Sequence, residues 1–115
     1  MENKDIVRNF IEDIFNKHDL SLAKNYLAED YQQHNPHVQQ GADGFIAFFT
    51  GMFERAPGFR QEIVHLVAEG DLVVAHVRAR GIAPNKHNKV VDIYRLENGK
   101  LAEHWDVLQR DVDDE

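Results

Sequence analysis

Apolar residues in the first half of the chain recur at helical spacing. Ile6, Val7, Phe10, Ile11 and Ile14, with His18 beyond them, fall at the i, i+3, i+4 positions of one helix face, and Asn3 is a suitable residue to cap its start. A short second helix is predicted next, with Asp19 or Ser21 as cap and Leu22, Tyr26 and Leu27 on its buried side. A third carries Phe45, Phe48, Phe49, Met52 and Phe53, opened by Asp43 and closed by Ala56-Pro57-Gly58. So dense an aromatic stripe reads as core. It also suits the apolar wall of a pocket, and the two roles do not exclude each other.

Beyond Gly58 the period changes from helical to two. "FRQEIVHLVA" and "LVVAHVRARG" read as strands joined at "EGD", and "VVDIYRLE" and "KLAEHWDVLQ" as strands joined at Asn98-Gly99. Asn-Gly between alternating runs is the strongest short-range hairpin signal. Two hairpins give a mostly antiparallel sheet of about four long strands. Helices first and sheet afterwards make an α+β fold, a curved sheet wrapped over the helices.

With Asn98 and Gly99 as a two-residue turn, Glu97 pairs with Lys100 and Ile93 with His104. One face then carries Val91, Ile93, Arg95, Ala102, His104, Asp106 and Leu108. The other carries Asp92, Tyr94, Leu96, Leu101, Glu103 and Trp105. Any two-residue turn within "EGD" puts His65 and His76 on one face. A bulge would invert these assignments, and bulges are common near active sites. Both faces of "EHWDV" mix apolar with polar residues, which a half-buried strand does not normally do.

Composition narrows the possibilities. The 115 residues fit one domain, residues 1–110, followed by an acidic tail, "DVDDE", over residues 111–115 that reads as solvated and frayed. No apolar run approaches the roughly 20 residues of a membrane span, and "MENKDIVRNF" lacks the basic-then-apolar order of a secretory signal. A soluble, cytoplasmic protein is expected. There is no cysteine, so disulfides and thiolate metal sites are impossible. A net charge of -7 with no basic cluster opposes nucleic acid and anionic lipid as partners.

The candidate chemistry lies in carboxylates and the seven histidines. His34 and His37 are close in sequence, and His65, His76, His104 and Asp106 have room to converge. No HExxH-like or other ligand spacing is present, so no metal is expected. Nucleophilic catalysis has weaker support still, for want of cysteine and of a strand-turn-helix elbow around Ser21. His34 in "HNP" has a bland reading, as a cap on the turn before Pro36. His76 between apolar neighbours reads equally as a satisfied core histidine, and His65 and Asp92 read as structural. His18, His37 and His87 fall at helix ends or loops and receive no function.

Taken in order, "YQQHNP", "AEGDLVVAHV" and "VDIYRLENGKLAEHWDVLQ" resemble the SnoaL-like polyketide cyclase family, over about residues 5 to 110. More narrowly, the chain is similar to a small bacterial branch of predicted aldol-condensation-catalysing proteins within the nuclear-transport-factor-two-like superfamily. The resemblance implies a cone-shaped α+β barrel enclosing an apolar pocket, with the convex sheet face packed on a second subunit. Pocket walls would come from Phe45, Phe49, Met52, Phe53 and Ile93, and a homodimer interface from Tyr94, Glu103 and Trp105, beside Asp92.

It also implies chemistry without metal or cofactor. A carboxylate removes a proton α to a carbonyl, and the enolate goes on to carbon-carbon bond formation or isomerisation. Asp106 in a greasy cavity suits the base. His34, His76 or His104 would supply the donor to the enolate oxygen or relay protons. Limonene epoxide hydrolases, more remote, place polar groups at points resembling His34, His76 with Arg78, and Asp106. The residue types differ at the first two, so epoxide hydrolysis does not carry over. Two function classes stay open: an enzyme acting on a small hydrophobic carbonyl compound, and a non-catalytic protein that binds such a ligand on the same scaffold.

Overall fold

The computed structural model describes residues 1–35 and 38–114. The N-terminal apolar spacing forms helix α1 (Asn3–Phe10), which continues as a π-helical stretch over Ile11–Asn16. That stretch buries Ile11, Ile14 and Phe15 together. Glu2 rather than Asn3 caps the start, and its backbone amide donates to Asp5 Oδ2 at 3.2 Å. Asp19 caps the next turn by accepting from the Ser21 amide at 3.2 Å. The short helix α2 (Ala23–Tyr26) follows.

Five strands form, one more than the alternation predicts. The extra one is β1 (Leu27–Gln33), which precedes helix α3 (Gly41–Arg55). Helix α3 opens three residues earlier than expected, on Gln40 rather than Asp43, and Asp43 sits in its first turn, where the helix dipole favours a negative charge. The remaining strands are β2 (Arg60–Glu69), β3 (Leu72–Arg80), β4 (Lys86–Glu97) and β5 (Lys100–Asp113). The sheet is curved and unclosed, in the order β1-β5-β4-β3-β2. Strand β1 runs parallel to β5, and the other pairs are antiparallel.

The helices lie in the concave side of this sheet. Phe10 is the hub of the core, with its ring 5.3–5.9 Å from those of Phe15, Tyr26, Phe45 and Tyr94. From the sheet come Val73, Ala75, Val77 and Leu101, none of them reaching water. The C-terminal tail is not frayed over its described residues. It extends β5 through Asp113, which takes an ion pair from Lys86, while Asp114 takes one each from Arg80 and His87. Among the described residues, no helix is long and apolar enough to cross a membrane.

Candidate active site

One inserted residue decides which side chains enter the cavity. The turn at Asn98 (φ 53°) and Gly99 (φ 77°) sets Glu97 opposite Lys100 and Leu96 opposite Leu101, as the hairpin signal predicts. The register then slips: Arg95 pairs with Glu103, so Ala102 is a bulge. From there on β4 and β5 match differently from the simple ladder. Tyr94 faces His104, Ile93 faces Trp105 and Asp92 faces Asp106. Because side chains alternate along a strand, Asp92, Tyr94, His104 and Asp106 all share the concave face. Ile93, Glu103 and Trp105 share the convex one.

Three of the sequence-based assignments are corrected by this slip. Tyr94, expected in a dimer interface, is 2% exposed and packs edge-on against Phe10. Ile93, expected in the pocket wall, points away from it. Asp92, read as structural, becomes part of the site.

Four buried polar side chains form a directed chain there. Strand β1 brings Tyr31 and Gln33 to the concave face, two residues apart, and its register sets Gln33 opposite His104. The Tyr31 hydroxyl donates to Gln33 Oε1, and Gln33 Nε2 lies 2.8 Å from His104 Nδ1. His104 Nε2 lies 2.8 Å from Asp92 Oδ1, whereas buried Asp92 Oδ2 has no partner among the described residues. Asn35 Nδ2 donates to Asp106 Oδ2 at 3.4 Å.

Burial is the main force on the ionisable groups. It pushes the Asp92 carboxyl above its usual range; the His104 hydrogen bond opposes that push, and the like charge of Asp106 across the ladder adds to it. The Tyr31 and Tyr94 phenols are pushed up as well, first by burial and then by the neighbouring carboxylates. Both therefore stay protonated at neutral pH.

These groups open onto a cavity of about 150 Å³. Its apolar wall includes Phe45, Phe48, Phe49 and Met52 of α3, with Phe15, Phe59 and Leu108. Phe53, a fourth expected wall residue of α3, lies beside the cavity instead, stacked on the His18 ring at 3.9 Å. Asp92, His104, Asp106, Tyr31, Gln33 and Tyr94 supply the polar end. A larger, shallow cleft of about 680 Å³ lies near the start of α3, but no buried acid or base converges on it.

The other expected catalytic residues stay outside. His76 lies on the convex face between Ala75 and Val77, which take the concave side of β3; its Nδ1 is 3.0 Å from that of His65. His34 stacks on Trp105 with ring centres 5.1 Å apart and bonds Glu103 at 2.7 Å. Pro36 and His37 lie outside the described residues. The convergence of histidines weighed from sequence therefore does not occur, because His34, His65 and His76 are on the wrong side of the sheet. A tighter group exists: Asp92, His104 and Asp106 each offer an oxygen or nitrogen, all within 4.8 Å of one another, a spacing that suits a cation or a shared proton.

The SnoaL-like domain profile matches residues 7–104. The chain belongs to the SnoaL-like family. A probable cyclase, otaY, of Aspergillus niger is 29% identical over 82 residues, covering 70% of this chain and 69% of that protein. Among solved structures, IdmH of Streptomyces antibioticus, a polyketide cyclase candidate, superposes with a TM-score of 0.82 at 20% identity, over 95% of this chain and 93% of IdmH. TsrD of Streptomyces laurentii superposes with a TM-score of 0.76 at 24% identity, over 92% and 87% of the two chains.

The three-helix, five-strand architecture is thus that of SnoaL-like proteins. Within it, sequence reasoning missed Asp92, Gln33 and Tyr31. Their only signal is an i, i+2 pair of hydrogen-bonding residues in "YQQ" and a carboxylate between apolar neighbours in "VVDIY".

Proposed function

We propose that this SnoaL-like protein is a cofactor-independent acid–base enzyme acting on a small carbonyl compound. The observation that carries the reading is the Asp92–Asp106 cross-strand pair at the end of an apolar cavity. Like charges directly opposite each other on a ladder are destabilising, and burial places the cost on Asp92. Two carboxyls whose surroundings differ in this way divide the labour of acid and base. Asp106, only half-buried and held by Asn35, is the base that takes the proton α to the carbonyl. Asp92, kept neutral, holds the proton that the developing enolate oxygen needs, with Tyr94 as a second donor. Collapse of the enol onto a second carbonyl gives an aldol product; reprotonation at another carbon gives an isomer.

The cavity limits the substrate. A volume near 150 Å³ holds roughly a single-ring molecule, too little for a polycyclic polyketide. The relatives described as polyketide cyclases support the reaction class and leave the substrate open.

The same fold suggests a homodimer through the convex face. Val67, Val74, Ile93 and Trp105 form one cross-strand row, and His76, Val91 and Val107 the next. Val67 is 59% exposed and Val107 70%, which favours a covering partner.

The test of the chemistry is Asp106→Asn, which keeps shape and removes basicity. The α-proton exchange of small enolisable ketones in heavy water should fall by roughly 10²-fold or more, with melting temperature nearly unchanged. Unaltered exchange sinks the enzyme reading. Binding of the ketones with no exchange in the parent protein supports the alternative, a non-catalytic ligand carrier.

A further inference from the structure

Asp92, His104 and Asp106 are spaced closely enough to hold either a divalent cation or a proton, and these outcomes require opposite states of His104. To bind a cation through Nε2, the ring must carry its hydrogen on Nδ1. In metal sites that hydrogen is normally donated to a carboxylate, carbonyl or water. To donate to Asp92, the ring must carry its hydrogen on Nε2 and present a lone pair at Nδ1. The residue behind Nδ1 therefore decides what the site can do.

That residue is Gln33, and its amide has only one sensible orientation. Tyr31 is 3% exposed, and burial keeps its phenol protonated, so the hydroxyl must find an acceptor. Its acceptor is Gln33 Oε1. Rotating the amide by half a turn would set an NH2 group against that hydroxyl and leave the phenol proton unplaced in the core. With Oε1 so occupied, Gln33 turns its NH2 toward His104 Nδ1 at 2.8 Å. An NH2 group can only donate. The His104 hydrogen is thereby confined to Nε2, which faces Asp92 Oδ1 at 2.8 Å.

We infer that Gln33 is a positioning residue that locks His104 in its Nε2–H tautomer, making the Asp92–His104–Asp106 group a proton-handling site rather than a metal centre. Every donor in the row points the same way: Tyr31 to Gln33, Gln33 to His104, His104 to Asp92. Both His104 nitrogens are occupied, so neither is free to bond substrate. Its task is to hold Oδ1 of Asp92 and leave Oδ2 as the atom that carries the mobile proton. The inference rests on the acid–base reading for its purpose, but its test needs no turnover, so the two can fail separately.

The tautomer is visible directly. In long-range proton–nitrogen spectra of the 15N-labelled protein near neutral pH, His104 should show a lone-pair Nδ1 and a protonated Nε2. The His104 signals are recognised by their loss in His104→Asn. A protonated Nδ1, or rapid exchange between the two tautomers, overturns the inference.

Gln33→Glu reverses the polarity, because its carboxylate accepts from both Tyr31 and Nδ1–H. The spectrum should switch to the Nδ1–H form. Affinity for Zn²⁺ in calorimetry should then rise by roughly 10- to 100-fold over the parent protein, the range such partners are worth in metal sites. A further Asp92→Asn change should abolish that gain. Parent protein that binds Zn²⁺ as tightly as Gln33→Glu, with loss of binding in His104→Asn, overturns the proposal. If Gln33→Glu fails to fold, the parent spectrum still decides.

Discussion

The two faces of β4 and β5 carry much the same residue types and put them to opposite use. On the concave side a histidine, an aromatic ring and two carboxyls sit together: His104 stacks on Tyr94 at 4.7 Å and bonds Asp92, with Asp106 beside it. On the convex side His34 stacks on Trp105 and bonds Glu103, which also takes Arg95 at 3.0 Å. Burial separates them. Glu103 has its pKa lowered, first by the His34 hydrogen bond and next by Arg95, so it is a charged acceptor held by two side-chain hydrogen bonds, one of them from a guanidinium. Asp92 is raised by the loss of water around it. A carboxylate compensated by hydrogen bonds and a guanidinium near the surface has little reason to accept a proton near neutral pH. One deprived of water and set against a second carboxylate does. Residue type alone does not mark a site; the dielectric and the sign of the neighbours do.

The sharpest way to break this comparison is Asp92→Asn. The amide can still accept from His104 Nε2–H, so the hydrogen-bonded row survives while the mobile proton is lost. Turnover should drop by roughly 10²- to 10³-fold, the range for removing one preorganised donor to an oxyanion. The pH dependence of stability should change with it. Because Asp92 has its folded pKa raised above that of the unfolded chain, the native state binds more protons than the unfolded state between the two values. Stability then declines as pH rises through that window, and below both values the effect disappears. In Asp92→Asn that decline should vanish from denaturant titrations run upward from about pH 4. An unchanged profile would mean that Asp92 is ionised in the native state, with no proton to give.

The Glu103→Gln change is the convex counterpart and should remove a slope of the opposite sign from the parent's profile. A carboxylate with its folded pKa lowered stabilises above its unfolded value and loses that contribution as pH falls. The group is solvent-accessible, so its effect should be small, as surface pairs usually are.

These contrasts also explain how much of the site was legible beforehand. The aromatic stripe of α3 and the Asn98-Gly99 turn are local signals, and both placed their elements correctly. Strand β1 is different: in "LAEDYQQ" only Leu27, Tyr31 and Gln33 are buried, and its partner β5 lies some seventy residues away, in parallel, with no turn to announce it. The Ala102 bulge is harder still. Leu101 and Ala102 are both buried, 0% and 2% exposed, so neither hydrophobicity nor charge marks the extra residue. Yet this single insertion moves Asp92 and Tyr94 into the cavity and Ile93 out of it. His104 and Asp106 were grouped correctly because they lie beyond the bulge on one strand, where relative alternation is unaffected.

A smaller effect is expected on the convex side from Trp105→Ala. If a second copy covers the row from Val67 to Trp105, removing the ring should weaken self-association by roughly 2 kcal/mol or more, as central interface aromatics often do. Sedimentation at micromolar concentration checks it. A parent protein that is monomeric there would remove the dimer and leave the exposed valines without a partner. Turnover per folded protomer should stay within a few-fold, since Trp105 points away from the cavity.

The smallest expected effect belongs to His76→Gln, and it is informative because sequence gives His76 the same standing as His104. Each sits mid-strand, two residues before a charged one. The pleat sends His76 to the convex face, where its only ring contact among the described residues is His65, 5.2 Å away between centres. Replacing it with an uncharged hydrogen-bonding residue removes no cavity group and no buried partner. Stability should move by about 0.5 kcal/mol or less, the usual range for a surface change, and exchange of α-protons should be untouched. His104→Gln must behave otherwise: the amide cannot span Gln33 and Asp92 as the ring does, so Asp92 loses its support and turnover falls. Equal losses in the two variants would show that some route connects the faces through the sheet, and the division drawn between them would no longer hold.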